Sequence, residues 1–161
     1  MVSYRTVVCL ALVSVVAIEA DVQVEQCKGV RPLPTLQDDV KITPCPKLPC
    51  RLKKNTSTHV SLKFVPEHNL KDITNEVTAD LGINIPLPFI GVDGLSVCEK
   101  LETEDGQKAS CPLKAGVTYV YKDSFPVHSY YPSLSQLQIH WALKNGDKIV
   151  TCFEVPAKIV G

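Results

Sequence analysis

The chain has 161 residues, enough for one domain with a real core and too few to expect two. Its 17 basic and 17 acidic residues cancel, which argues against nucleic acid as a partner. The one compact basic run, Arg51-Leu52-Lys53-Lys54, reads as a solvated loop or strand edge, with docking onto anionic lipid as the alternative.

The chain opens on what reads as a secretory signal peptide, residues 1–20. Arg5 lies in a short leading segment, an apolar run covers 7–18, and Ala-Ile-Glu-Ala ends at Ala20, a cleavage point. That run is too short to span a bilayer comfortably. The expected mature chain, 21–161, loses Arg5 and Glu19 and so stays charge-balanced. It also loses Cys9, which leaves Cys27, Cys45, Cys50, Cys98, Cys111 and Cys152. An even count behind a signal peptide reads as a disulfide framework. Cys-Pro-Lys-Leu-Pro-Cys favours Cys45 with Cys50, because its two prolines make a tight local loop. Cys98 and Cys111 bracket a polar loop, and Cys27 with Cys152 would tie the first strand to the last. With no CxxC pair present, no metal site is expected.

Asn55-Thr56-Ser57 is a glycosylation sequon, expected on a surface turn before the strand near His59. From there the dominant period is two. Val60, Leu62 and Phe64 alternate, as do Ile73, Val77, Ala79 and Leu81, and then Val117, Tyr119 and Tyr121. The cleanest case places Leu137, Ile139, Trp141 and Leu143 on one face and Gln136, Gln138, His140 and Ala142 on the other. Asn145-Gly146 then predicts a type I′ turn with both residues at positive φ, and a partner strand over 148–155. No segment shows a long helical period. Several strands divided by turn residues indicate an all-β, antiparallel sandwich, with the prolines at strand ends and in loops.

Two segments stand apart. Ile-Asn-Ile-Pro-Leu-Pro-Phe-Ile-Gly-Val, 83–92, is apolar and stiffened by Pro86 and Pro88, so it belongs at a sheet edge. Ser-Phe-Pro-Val-His-Ser-Tyr-Tyr-Pro-Ser-Leu, 124–134, reads as a second stiff loop, joining two strands and carrying Phe125, Val127, Tyr130 and Tyr131 between Pro126 and Pro132. Each could simply close one end of the core. Together they suggest the mouth of an apolar cavity between the sheets.

Thr-Pro-Cys-Pro-Lys-Leu-Pro-Cys, Pro-Leu-Pro-Phe, Cys-Pro-Leu-Lys-Ala-Gly-Val-Thr-Tyr-Val-Tyr-Lys-Asp-Ser-Phe-Pro-Val, Tyr-Tyr-Pro-Ser, Ile-His-Trp-Ala-Leu and Cys-Phe-Glu-Val-Pro-Ala-Lys-Ile-Val follow in this order. With the six cysteines they resemble the MD-2-related lipid-recognition (ML) family, above all its Niemann-Pick C type-2 sterol-transfer branch in an arthropod-like form. The resemblance covers nearly the whole mature chain, expected as one lipid-binding domain. It implies an immunoglobulin-like β-sandwich with an internal hydrophobic pocket and the pairs Cys27–Cys152, Cys45–Cys50 and Cys98–Cys111. It further implies that Phe89, Val127 and Tyr131 line the pocket entrance, with Leu87, Pro126 and Trp141 at other lining positions. The function it implies is a carrier, secreted or in the lysosomal lumen, that binds and transfers a sterol such as cholesterol and performs no chemistry on it. The implied partners are a sterol or other hydrophobic lipid, and a membrane surface or membrane sterol transporter, with the protein itself a monomer.

Two departures bear on ligand identity. Phe153 stands where vertebrate sterol-transfer members have tryptophan, and the Cys98–Cys111 loop is longer than theirs. They keep open a carrier of fatty acids or semiochemicals, or a lipid-binding innate-immune co-receptor. An enzyme is not expected, and no cofactor. No GxSxG elbow, HExxH helix or glycine-rich phosphate loop occurs, and His59, His68, His128 and His140 read as surface or satisfied residues.

Overall fold

The computed structural model describes residues 23–83 and 85–161. The signal-peptide reading falls on residues outside those described. Among the described residues eleven strands follow one another. They are β1 (Glu25–Gln26), β2 (Val40–Thr43), β3 (Cys50–Lys53), β4 (Thr56–Phe64), β5 (Thr74–Asp80) and β6 (Leu87–Pro88), then β7 (Leu101–Thr103), β8 (Lys108–Ala109), β9 (Tyr119–Val127), β10 (Leu134–Asn145) and β11 (Lys148–Val160). Among the described residues a four-residue helical turn, α1 (Leu36–Asp39), precedes β2, and a shorter helical turn, Cys98–Lys100, leads into β7. Among the described residues no helix is long and apolar enough to cross a membrane.

The strands form two sheets. One runs β1-β11-β10-β5-β6, and β3 joins the same edge of β11 as β1, parallel and further along. The other runs β2-β4-β9-β7-β8. Period-two alternation turns the apolar sets inward from both. Leu137, Ile139, Trp141 and Leu143 of β10 and Phe153, Val155 and Ala157 of β11 face Val60, Leu62 and Phe64 of β4 and Tyr119, Tyr121 and Phe125 of β9, all buried in one core. Disulfides join Cys27 to Cys152, Cys45 to Cys50 and Cys98 to Cys111.

Three local expectations need correction. Ala142, expected on the solvent face of β10, is fully buried, because the Cys27–Cys152 bridge and Val30 cover the outer face there. The β10–β11 loop is Gly146-Asp147, one residue later than expected; Gly146 takes φ 58°, and Asn145 pairs in register with Lys148. Asn145 is instead committed to Asp72, whose backbone oxygen accepts from its side-chain amide at 2.8 Å. Finally, 124–127 is not loop but the end of β9, paired with β4 through Val127 and Thr56. Pro126 is tolerated because Val127 O bonds across to Asn55 N at 2.7 Å, which turns the proline nitrogen toward the other edge, where β7 pairs only as far as Tyr121.

Candidate functional site

The site lies at the end of the sandwich where β5 leads out and β10 leads in. Leu87-Pro88 forms β6, the edge of its sheet, pairing with Ala79 and Thr78 of β5. Phe89 N then donates to Val77 O at 2.9 Å, and the carboxylate of Asp93 accepts from Val77 N at 2.7 Å. Val92 N and Asp93 N donate to Phe89 O at 3.2 and 3.0 Å, so the chain reverses tightly just after the phenylalanine. The result sorts one greasy segment into two populations. Phe89 is buried, at 5% exposure, while Ile83, Ile85, Leu87 and Ile90 keep between 42% and 59% of their surface in solvent.

The 128–133 loop supplies the facing wall. His128 stacks on Tyr130 at 4.8 Å, Tyr131 stands edge-on to Tyr130 at 5.2 Å, and Tyr131 N donates to His128 O at 3.2 Å. Tyr130 is exposed, whereas Tyr131 leans inward and meets the Phe89 ring edge-on at 6.2 Å. Among the described residues the Tyr131 hydroxyl is buried without a hydrogen-bond partner of ordinary geometry. Burial, with the neighbouring Tyr130, raises its pKa; the Ile90 backbone beside it pulls the other way.

From Tyr131 a run of rings leads into the interior. Phe89 packs on Phe125 at 5.5 Å, Phe125 on Trp141 at 5.6 Å, and Trp141 lies on Phe153 at 6.2 Å with the planes nearly parallel. Tyr121 flanks Trp141 at 6.3 Å. There the apolar character stops. Trp141 Nε1 donates to Asn75 Oδ1 at 3.3 Å, Asn75 Nδ2 donates to Tyr121 Oη at 2.6 Å, and Tyr121 Oη donates to Asp123 Oδ2 at 2.6 Å. The same Asp123 oxygen accepts from Lys100 Nζ at 2.7 Å. Burial, reinforced by Asp123, pushes the Tyr121 phenol far above its ordinary value and keeps it a donor.

Of the residues singled out in the sequence, Phe89, Tyr131 and Trp141 lie on this run, and Val127 is buried in the same core. Leu87 and Pro126 do not; both are exposed, Leu87 beside the open end and Pro126 toward the unpaired stretch of β9. Phe125, the link between Phe89 and Trp141, had a signal in the alternation of Tyr119, Tyr121 and Phe125 that its proline neighbour obscured. Asn75, Asp123 and Lys100 had none. The sequon residue Asn55 is exposed on the β3–β4 turn at φ 62°.

Chemically, the run offers aromatic surface to an apolar body and polar groups at its inner end. It holds no nucleophile paired with a base. Among the described residues, the grouping with metal-ligand spacing is Cys27, Cys152 and His140, whose two sulfurs are consumed in a disulfide. A concavity of about 840 Å³ on the outer face of the β5–β10 pair is walled by Glu76, His140, Lys144 and Glu154, a polar setting with ion pairs such as Lys144–Glu76 at 2.7 Å.

The ML domain family matches residues 21–159. The chain is 32% identical over 110 residues to the ecdysteroid-regulated 16 kDa protein of Manduca sexta, covering 68% of this chain and 70% of that one. It is 29% identical over 127 residues to the NPC intracellular cholesterol transporter 2 of Canis lupus familiaris, 76% of each chain being covered. The crystal structure of a Niemann-Pick type C2 protein from the Japanese carpenter ant superimposes with a TM-score of 0.64 at 30% identity, over 76% of this chain and 89% of that one.

Proposed function

The chain belongs to the ML domain family, and we propose that it is a carrier that binds and transfers a sterol, taking it between the two β-sheets at the end framed by Phe89 and Tyr131. What carries the reading is the ring run itself, which starts beside exposed Tyr130 and passes through Tyr131, Phe89 and Phe125 to the fully buried Trp141, with the Tyr131 hydroxyl as its polar group near the mouth. A ligand enters by taking over the contacts that Phe89, Phe125 and Tyr131 now make with one another. Burying on the order of 400 Å² of ligand apolar surface at about 25 cal/mol per Å² supplies roughly 10 kcal/mol before association costs are subtracted. That suffices for micromolar or tighter binding without a charged anchor.

The carrier leaves its ligand chemically unchanged. Ile83, Ile85, Leu87 and Ile90 with Tyr130 form an apolar rim at the open end, suited to resting on a membrane while the ligand crosses. Leu87 thus acts at the rim, while Val127 shapes the wall behind Phe125. The chain works as a monomer after removal of residues 1–20, outside the cell or in the lysosomal lumen, with a glycan on Asn55.

Two measurements test the reading together. Mass spectrometry of organic extracts from the folded protein should recover one sterol, and titration with a fluorescent sterol beside a fluorescent fatty acid should favour the sterol. A preference for the fatty acid would reassign the cargo, and failure to bind either, with no lipid recovered, would overturn the carrier.

A further inference from the structure

We infer that the ligand site ends in a built polar subsite, formed by Asn75, Tyr121 and Asp123 behind Trp141, which selects lipids bearing a hydroxyl at the end that enters first. The inference rests on the carrier reading and adds to it the chemistry of the buried end.

Three observations carry it. Asp123 occupies an inward slot of β9, between Tyr121 and Phe125, where the strand's alternation otherwise supplies apolar or aromatic side chains. Its side chain is only 7% exposed, so the position keeps a carboxylate in the interior, at a cost that a hydrophobic residue would avoid. That cost is met by a relay from Lys100 through Asp123 and Tyr121 to Asn75, every link between 2.6 and 2.7 Å. Last, the Asn75 amide, 2% exposed, has two N–H groups; among the described residues one of them finds an acceptor, Tyr121 Oη. A buried donor left over, beside the ring that ends the apolar run, is the complement of a hydroxyl oxygen.

The relay fixes the polarity of the subsite. Tyr121 stays protonated and gives its hydrogen to Asp123, so its oxygen is an acceptor toward Asn75 and holds that amide in one orientation. Trp141 Nε1 donates to the opposite side of the amide, leaving its remaining N–H as the group on offer. An entirely apolar pocket would resist a hydroxylated ligand, because the hydroxyl would lose its water without replacement. A pocket built this way reverses the sign, and a single net hydrogen bond in a buried site corresponds to about fivefold to tenfold in affinity.

The experiment is a ladder of ligands that differ by one hydroxyl. Purified protein is titrated with 5-cholestene, cholesterol and 25-hydroxycholesterol, and with hexadecanol and 1,16-hexadecanediol as the acyl counterpart. In the wild-type protein, at least one added hydroxyl should raise affinity about fivefold to tenfold. In Tyr121→Phe and Asn75→Leu the same step should lose that gain or reverse. Asp123→Asn, which keeps the shape and removes the charge, should lose part of it. Thermal unfolding run beside each titration separates packing from selectivity, since a purely structural network changes Tm and leaves the ligand ratios alone. Where Asn75→Leu fails to fold, Tyr121→Phe carries the comparison. Affinity that falls or stays level with every added hydroxyl in the wild type, or a gain that survives in Tyr121→Phe, overturns the subsite while leaving the carrier standing. Failure of the wild type to bind any of the five ligands overturns both.

Discussion

The β10–β11 hairpin and the two proline-framed segments at the open end draw on the same apolar and aromatic residues, yet they spend them in opposite ways. In the hairpin, strands of 12 and 13 residues pair along their length, and Trp141, Leu143, Phe153 and Ala157 are buried to 1% or less. The Cys27–Cys152 bridge fastens its outer face. At the open end, β6 has two residues, prolines remove ladder donors, and Ile85, Ile90 and Tyr130 keep 59%, 58% and 64% of their surface exposed. Apolar surface that is covered on every side stabilises the fold. The same surface, left half uncovered, is free to exchange protein contacts for ligand contacts.

That contrast can be broken most severely in the hairpin. Replacing Cys27 and Cys152 by serine opens a link of sequence separation 125 and should cost about 4–5 kcal/mol in the chain-entropy model, against about 2 kcal/mol for Cys45 and Cys50. Denaturant unfolding of the two double variants checks the order. Trp141→Ala should follow at about 3–5 kcal/mol, since its ring touches Tyr121, Phe125 and Phe153 and no neighbour can fill the space. Phe89→Ala sharpens the contrast from the other side: about 1–2 kcal/mol of stability, because the adjoining loop can collapse onto the gap, with at least a tenfold loss of ligand affinity. Calorimetric unfolding beside ligand titration reads both. The smallest change in stability, within about 0.5 kcal/mol, belongs to Ile85→Ser with Ile90→Ser, exposed residues whose loss should slow lipid transfer between vesicles without moving Tm appreciably.

The same division governs what could be read in advance. Where a strand is paired on both edges and buried on one face, side-chain alternation reports it directly, as along 137–143, and the all-β sandwich follows. Phe89, Tyr131 and Trp141, singled out from the motifs around them, fall on one run of rings. Ala142 was not, because its cover is a disulfide brought from a distant part of the chain. Nor was the β-structure of 124–127, where Pro126 speaks for a loop until the unpaired edge of β9 is seen. Asp123 is the clearest case. An acidic residue in an inward slot looks like a break in the pattern, and only the short helical turn ending at Lys100 places its counter-charge within 2.7 Å.

The central claim is that a lipid sits between the sheets behind Phe89 and Tyr131, and photo-cross-linking tests it most directly. The wild-type protein is equilibrated with a sterol carrying a diazirine, irradiated, digested and mapped by mass spectrometry, with excess unlabelled sterol as competitor. The account predicts saturable, competitor-sensitive adducts on peptides spanning 83–92 and 124–134 and on the β10 peptide that carries Trp141. Adducts confined to the outer sheet faces, or labelling that excess sterol does not displace, would contradict it.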